Sequence, residues 1–292
     1  MKYRVHHLTT YTYTDVVPVC QNLVHLTPRS STHQRCIAHR LAIRPRPHTL
    51  DRRFDYYGNA VHQFSVVEGH QKLIISARSR VILAPRNLPA PDATLPWEQV
   101  REQLSHDLSP AGLEARQFIH DSPHVPRLTD LAHYAATSFP AGKPILAGGL
   151  DLMRRLHREM EYDPAATTVS TPIDEVFKAK RGVCQDYSHL MLGCFRSLGL
   201  SARYVSGYLR TVAAPGKERL VGADASHAWV SLYCGPAGWI DLDPTNNLAP
   251  NLEHITVAWG RDFYDVSPIS GMFIGGGQNS LHVAVTVEPV GA

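Results

Sequence analysis

Through residues 1 to 84 apolar and polar positions alternate in short runs, YRVHHLTTYTYT, NLVHLTP, CIAHRLAIRP and AVHQFSVVEGHQKLIISARSRVIL, broken by RPRPHT and YYGN. Such alternation, rich in β-branched and aromatic residues, predicts strands with one buried face. Several of them at regular spacing predict a β-sandwich domain over 1–84. Residues 85–97, PRNLPAPDATLPW, hold four prolines. Proline lacks the N–H that a ladder or a helix interior needs, so this stretch reads as a linker.

Beyond the linker the apolar spacing changes to three and four. ILAGGLDLMRRLHREM puts Leu146, Leu150, Met153 and Met160 on one helical face. TPIDEVFKAKRG predicts a short helix capped by Thr171, opened by Pro172 and stopped at Gly182. In KRGVCQDYSHLMLGCFRSLGL the stripe Tyr187, Leu190, Met191, Cys194, Phe195 and Leu198 predicts a second helix, closing at Gly199. Strands are expected in ARYVSGYLRTV, ASHAWVSLYC and GWIDLDPT, and a terminal one in LHVAVTVEPV. Gly275, Gly276 and Gly277 read as a flexible loop bordering the site. The fold class expected is α+β: an N-terminal β-sandwich, then helices packed on an antiparallel sheet in a second domain over 98–292.

Length agrees with two domains, since 292 residues exceed the usual ~100 to 200 per domain. A hydrophobic fraction of 43% with 19% charged residues excludes disordered and fibrous classes. The net charge is only +3 and no basic run is interleaved with aromatics, so neither nucleic acid nor membrane is expected as a partner. The N-terminus lacks the apolar block of a secretory signal, and no segment approaches ~18 apolar residues; a cytoplasmic protein is expected. Five cysteines without a CxxC pair argue against a disulfide framework and a thiolate zinc site. No cofactor and no metal are expected.

One of those cysteines stands where chemistry is favoured. Cys184 opens the second helix, beside backbone N–H groups that have no intrahelical acceptor, and these donors with the helix dipole favour a thiolate. A buried cysteine on an apolar stripe is otherwise ordinary core. A nucleophilic thiolate works with a base. His227 lies on a strand whose hairpin partner carries Asp241 and Asp243. If CGPAG is the turn and Tyr233 faces Trp239, Trp229 falls opposite Asp243 and His227 is diagonal to it, within roughly 5 to 8 Å at Cβ. Pro244 fixes the backbone just after Asp243. Cys184 as nucleophile, His227 as base and Asp243 as its orienter form an acyl-transfer set, with the Cys184 N–H as an oxyanion donor. Tyr162 and Gln185 are candidates for the second donor. Tyr208, Trp229 and Trp239 are candidate cleft walls, so the substrate-binding candidates are Gln185, Tyr162, Tyr208 and Trp229. A metal site of Cys184, His189 and His227 is disfavoured, because His189 points about 140° away from Cys184 on the helix. Acid is expected to abolish activity by protonating His227 or the thiol.

In order along the chain, RGVCQDYSHLMLGCFRSLGLSARYVSGY, SHAWVSLY and GWIDLDPTNN resemble the core of the transglutaminase-like superfamily. The opening YRVHHLTTYTYTDVVPVCQNLVHLTPR and the tail HITVAWGRDFYDVSPISGMFIGGG are similar to the β-rich leader and tail of its bacterial members. The resemblance implies a papain-like Cys-His-Asp arrangement, which falls on Cys184, His227 and Asp243, and a protein or peptide substrate. It implies a thioester intermediate resolved either by water, as in a cysteine protease or amidase, or by an amine, as in a transglutaminase. A silent binding protein on the same fold is the competing class. The oxyanion tryptophan of tissue transglutaminases has no counterpart between Trp97 and Cys184, and no acidic calcium loop is present.

Overall fold

A computed structural model describes residues 1–210 and 225–291. The strands are β1 (Lys2–Val17), β2 (Val19–Val24), β3 (Gln34–Arg44), β4 (Thr49–Phe54), β5 (Ala60–Val66), β6 (His70–Leu83), β7 (Glu161–Tyr162), β8 (Arg181–Gly182), β9 (Ala202–Leu209), β10 (Ala225–Tyr233), β11 (Trp239–Leu242), β12 (His254–Gly260), β13 (Ile269–Ile274) and β14 (Asn279–Pro289). The helices are α1 (Trp97–His106), α2 (Pro110–Arg116), α3 (Thr129–Ala136), α4 (Ile145–Glu159), α5 (Ile173–Ala179), α6 (Cys184–Ser197) and α7 (Phe263–Val266). Among the described residues no helix is long and apolar enough to cross a membrane. The fold is α+β, with antiparallel sheets in the N-terminal half and helices packed on a further antiparallel sheet.

The alternation in the first 84 residues does form a sandwich, from sheets ordered β14-β1-β6-β3 and β13-β2-β5-β4. Their facing side chains, among them Tyr13, Val17, Phe64, Leu73 and Ile75, make a core of their own. Two of those strands come from the other end of the chain. β14 pairs with β1 from Tyr3↔Pro289 to Tyr13↔Asn279, and β13 pairs with β2. This corrects the expected assignment of 98–292 to one catalytic unit, because residues 269–289 complete the N-terminal sheets. The alternation in LHVAVTVEPV announces a strand but carries no label for its partner. A second correction follows for Gly275–Gly277. All three take positive φ, and they form the tight return between β13 and β14 against Asp15 and Val16. That turn belongs to the sandwich and does not border the site.

The long β1 also joins the halves. Tyr13 and Val17 lie in the sandwich core, whereas Tyr3 and Val5 lie in the larger core with α4, α6 and β9–β12. The expected linker 85–97 is irregular apart from a short turn at Pro91–Ala93, and its last residue, Trp97, already begins α1.

At the centre of the larger core, α6 is enclosed on all sides. Every residue from Asp186 to Arg196 is buried, beyond the expected stripe. Burial on this scale is what fixes the helix; truncating Phe195 to alanine would cost ~3 to 5 kcal/mol. The preceding helix differs from expectation in its ends. α5 has Pro172 as N-cap and stops at Lys180, which takes the left-handed conformation with φ 55. Gly182 is needed for a different reason. It pairs with Tyr162, and a Cβ there would collide with the Asp186 carboxylate. On α4, Leu146 and Met153 are buried, while Leu150 is half-buried.

The sheet that carries the site has the order β11-β10-β9-β12. The expected hairpin register holds: Tyr233↔Trp239, Leu232↔Ile240, Ser231↔Asp241 and Val230↔Leu242. Strand 202–212 ends at Leu209, and residues 211 and 212 lie outside those described. β12 is an edge strand, and an exposed edge invites unwanted pairing. Two side-chain amides from the sandwich cover it. Gln34 takes the Thr256 N–H at 2.8 Å and donates to its carbonyl at 2.6 Å; Asn59 does the same for Trp259 at 3.0 and 2.8 Å.

Candidate active site

Cys184 is the first residue of α6, half-buried against the large core. The helix start around it is tightly bonded. Asp186 Oδ2 accepts the Val183 N–H at 2.8 Å and the Thr167 hydroxyl at 2.6 Å, while the amides of Asp186 and Tyr187 return to the Val183 carbonyl. Burial pushes the Asp186 carboxyl up, against these hydrogen bonds. The N–H groups of Cys184 and Gln185 are the donors that these bonds leave unspent at the helix start. Asp186 was not legible as a site residue. Its signal would have been an acid two residues after the cysteine, at the third position of the helix, where a carboxylate can reach back to the cap.

His227, on β10, donates from Nε2 to Asp243 Oδ2 at 2.7 Å. With Nε2 committed, Nδ1 is the nitrogen left for the Cys184 sulfur. Burial disfavours the imidazolium, but hydrogen bonds to the Asp243 carboxylate and the Cys184 sulfur, with the charges of both, raise His227 to about 10. His227 and Asp243 therefore meet at hydrogen-bond distance, and the Cys184 sulfur acts on the same imidazole. Asp243 has 0% exposure. It follows the last residue of β11, where the chain turns, and the amides of Thr245 and Asn246 donate to its Oδ1 at 3.0 and 3.1 Å. Such turns are an ordinary use of aspartate.

Two residues that the sequence reading missed complete the shell. His254 Nε2 donates to Asp243 Oδ2 at 2.9 Å, and Asn246 Nδ2 donates to the same oxygen at 2.8 Å. The carboxylate thus receives five hydrogen bonds. Burial alone would push its carboxyl up; the donors from His227, His254 and Asn246 outweigh that and hold it well below the usual carboxylate range. His227, Asp243 and His254 bring ligand atoms within 4.8 Å of one another. Both imidazoles, however, aim an Nε2 proton at one oxygen at hydrogen-bond distance, whereas a zinc ion needs deprotonated nitrogens at ~2.0 to 2.1 Å. The set fits a hydrogen-bonded carboxylate better than a cation cage.

The other candidates divide. Tyr162 is 55% exposed and set in place by the two-residue β7–β8 ladder. Burial, and after it the charge of Cys184, raise its hydroxyl. Gln185 is half-exposed, its amide donating to the Val169 carbonyl at 3.3 Å. Tyr208 and Trp229 are corrections, because both are buried. The Tyr208 hydroxyl bonds His7 Nδ1 at 3.2 Å, and the Trp229 ring packs edge-on against His254 at 5.1 Å. Trp229 backs the site through His254, and Tyr208 packs on His7 in the core. His189 lies apart from the triad: its Nε2 accepts the Phe263 N–H at 3.2 Å and its ring stacks on His124. All five cysteines are free.

Comparison with known proteins places these residues in context. Residues 3–82 match the family model "Bacterial transglutaminase-like N-terminal region", and residues 136–244 match "Transglutaminase-like superfamily". An uncharacterized Mycobacterium tuberculosis protein is 41% identical over 99% of this chain and 93% of its own length. A Pseudomonas aeruginosa protein-glutamine gamma-glutamyltransferase is 30% identical over 53% of this chain and 23% of its own length. A Cytophaga hutchinsonii crystal structure described as a candidate cysteine protease superposes with a TM-score of 0.77 at 20% identity, covering 100% of this chain and 92% of that one. At that identity the likeness speaks for the fold.

Proposed function

As the chain belongs to the transglutaminase-like superfamily, we propose that it is a thiol enzyme acting on amide or peptide carbonyls through Cys184, His227 and Asp243. The observation that carries this reading is the hydrogen bond of His227 to the buried Asp243 carboxylate, with the Cys184 sulfur acting on the same ring. The reacting form is the pair in which the proton sits on His227 rather than on the sulfur. The sulfur attacks the carbonyl, and the oxyanion is met by the N–H groups of Cys184 and Gln185. The imidazolium gives its proton to the leaving amine, forming the thioester. Asp243 keeps the ring oriented and its charge balanced throughout. Water, deprotonated by the now neutral His227, then releases the acid.

Because His227 is raised to about 10, it is protonated across neutral pH. The alkaline limb of the activity profile then belongs to His227, whose loss of a proton removes the acid that the leaving amine needs.

Hydrolysis is the reading we favour. Amine transfer is the second, supported by the 30% identity to the P. aeruginosa gamma-glutamyltransferase. Both pass through one thioester and differ in the acceptor. Wild type and Cys184→Ala are compared on a peptide library with and without a primary amine. New peptide termini indicate proteolysis, and ammonia release with amine incorporation indicates transfer. Equal traces from the two proteins would refute both and favour a binding protein.

A further inference from the structure

Two buried arginines in the large core are treated very differently. Arg196, on α6, has 0% exposure and spends its whole guanidinium: Nε on the Phe118 carbonyl at 3.0 Å, Nη1 on Ser122 Oγ at 3.0 Å, and Nη2 on the Ala202 carbonyl at 3.1 Å. Such satisfaction is what a buried charge requires. Arg203, on β9, is 7% exposed and its guanidinium makes no hydrogen bond among the described residues; its Nε is buried without a partner. It lies between two indoles, 4.2 Å from the Trp239 ring centroid and 3.7 Å from that of Trp259. Stacking of this kind grips the flat faces of the guanidinium and leaves its N–H edge available.

That edge borders a cavity of about 280 Å³ whose walls include Arg29, Arg86, His33, Thr256 and Asp241. Asp241 is the only acid in that wall, and it is already engaged by Arg86 at 2.5 Å. Arg29 lies 3.4 Å from the Trp259 ring centroid, with Nη1 on the Tyr57 carbonyl and Asn59 and with its own Nε unpartnered. The exposed Glu114 is the other acid whose charge reaches Arg203. Burial draws the Arg203 guanidinium down to about 10, with Asp241 opposing that shift and Arg29 adding to it. The pocket therefore has more cation than anion, and unspent donors in a place where leaving them unspent is costly.

We propose that this pocket is an oxyanion-binding site, in which the Arg203 edge, held flat by Trp239 and Trp259, takes a carboxylate or phosphate group with Arg29 beside it. It lies on the sheet that carries His227: Asp241 is two residues from Asp243 on the same stretch of chain, and Thr256 is two residues from His254. The site is independent of the thiol chemistry, so its test does not depend on turnover.

Two of the four tryptophans flank Arg203, so intrinsic fluorescence reports occupancy. The protein is titrated with inorganic phosphate, with succinate, and with chloride at matched ionic strength. Saturable change with phosphate, succinate or both, beyond the chloride control, supports the site and identifies the group it takes. Arg203→Gln is expected to weaken binding at least ~10-fold, as loss of a charged hydrogen-bond pair does. Asp241→Asn, which removes the competing carboxylate, is expected to tighten it, and this answers the case in which Arg203→Gln fails to fold. A response no different from chloride, or equal affinities in wild type and Asp241→Asn together with Arg203→Gln, would overturn the proposal.

Discussion

Asp243, just past the end of β11, and Arg203, on β9, are both buried charges, yet one receives five hydrogen bonds and the other makes none among the described residues. Water solvates a charge almost anywhere, so burying one is tolerable only when protein groups replace it. At Asp243 the replacement is complete, and the carboxylate acts as a fixed negative pole holding an imidazole. At Arg203 it is incomplete, and a buried Nε is left without a partner. A fully satisfied buried network reads as machinery that should not move, and an unsatisfied one as a place for something else to bind.

The comparison can be broken most severely at the satisfied end. Cys184→Ala should reduce turnover to background. Asp243→Asn, which keeps the shape but not the charge, should lower kcat on the order of 10³ to 10⁴-fold by leaving His227 in the wrong protonation state. Steady-state kinetics on whichever substrate the library yields check both; a residual rate within tenfold of wild type for Asp243→Asn would remove the orienting role.

A smaller effect is expected from His254→Phe. One donor to the carboxylate disappears while four remain, so kcat should fall ~10 to 100-fold. The acid-side loss of stability should move to higher pH, because without the His254 donor the Asp243 carboxyl is held down less firmly, a shift that a purely packing role for His254 would not produce.

Stability should register the same network. His227 is raised from 6.5 to about 10, so its contribution is complete below 6.5 and fades as pH rises through 10. Asp243 is held below its ordinary 3.8, so its contribution exists above that value and is lost as acid protonates it. Cys184→Ala deletes one of the groups that raise His227, and its Tm should fall less than that of wild type between pH 6.5 and 10. Parallel curves would show that sulfur and imidazole are not coupled.

The smallest change concerns the approach to the cysteine. Gly182→Ala pushes a methyl into the Asp186 carboxylate that ties down Val183. A cost of ~1 to 3 kcal/mol, read by denaturant midpoint, is expected from such overpacking. No loss would mean that the helix start has room to adjust.

Much of this was legible in the sequence because the relevant signals are local. A cysteine after glycine at a helix start, and a hairpin whose turn sets the register from Tyr233↔Trp239 onward, are written in neighbouring residues. His254 was not legible. HITVAWG shows a strand, but only the order of β9 between β10 and β12 brings His254 over Asp243. The return of β13 and β14 to the sandwich was hidden for the same reason, since a pairing between opposite ends of the chain leaves no local mark. Tyr208 and Trp229 were misplaced because an aromatic residue on a strand looks the same whether its face meets a cleft or His7 and His254. Arg203 sits in a run of apolar strand residues, where its identity announces a charge but not the two indoles that enclose it.

The central claim is that His227 activates the Cys184 sulfur as the nucleophile. Alkylation by iodoacetamide at neutral pH, followed peptide by peptide by mass spectrometry, reads this directly, with the half-exposed Cys36 as the internal reference. Cys184 should be modified about an order of magnitude faster than Cys36, and His227→Asn should close the gap. Equal rates at Cys184 and Cys36 in the wild type would contradict the account.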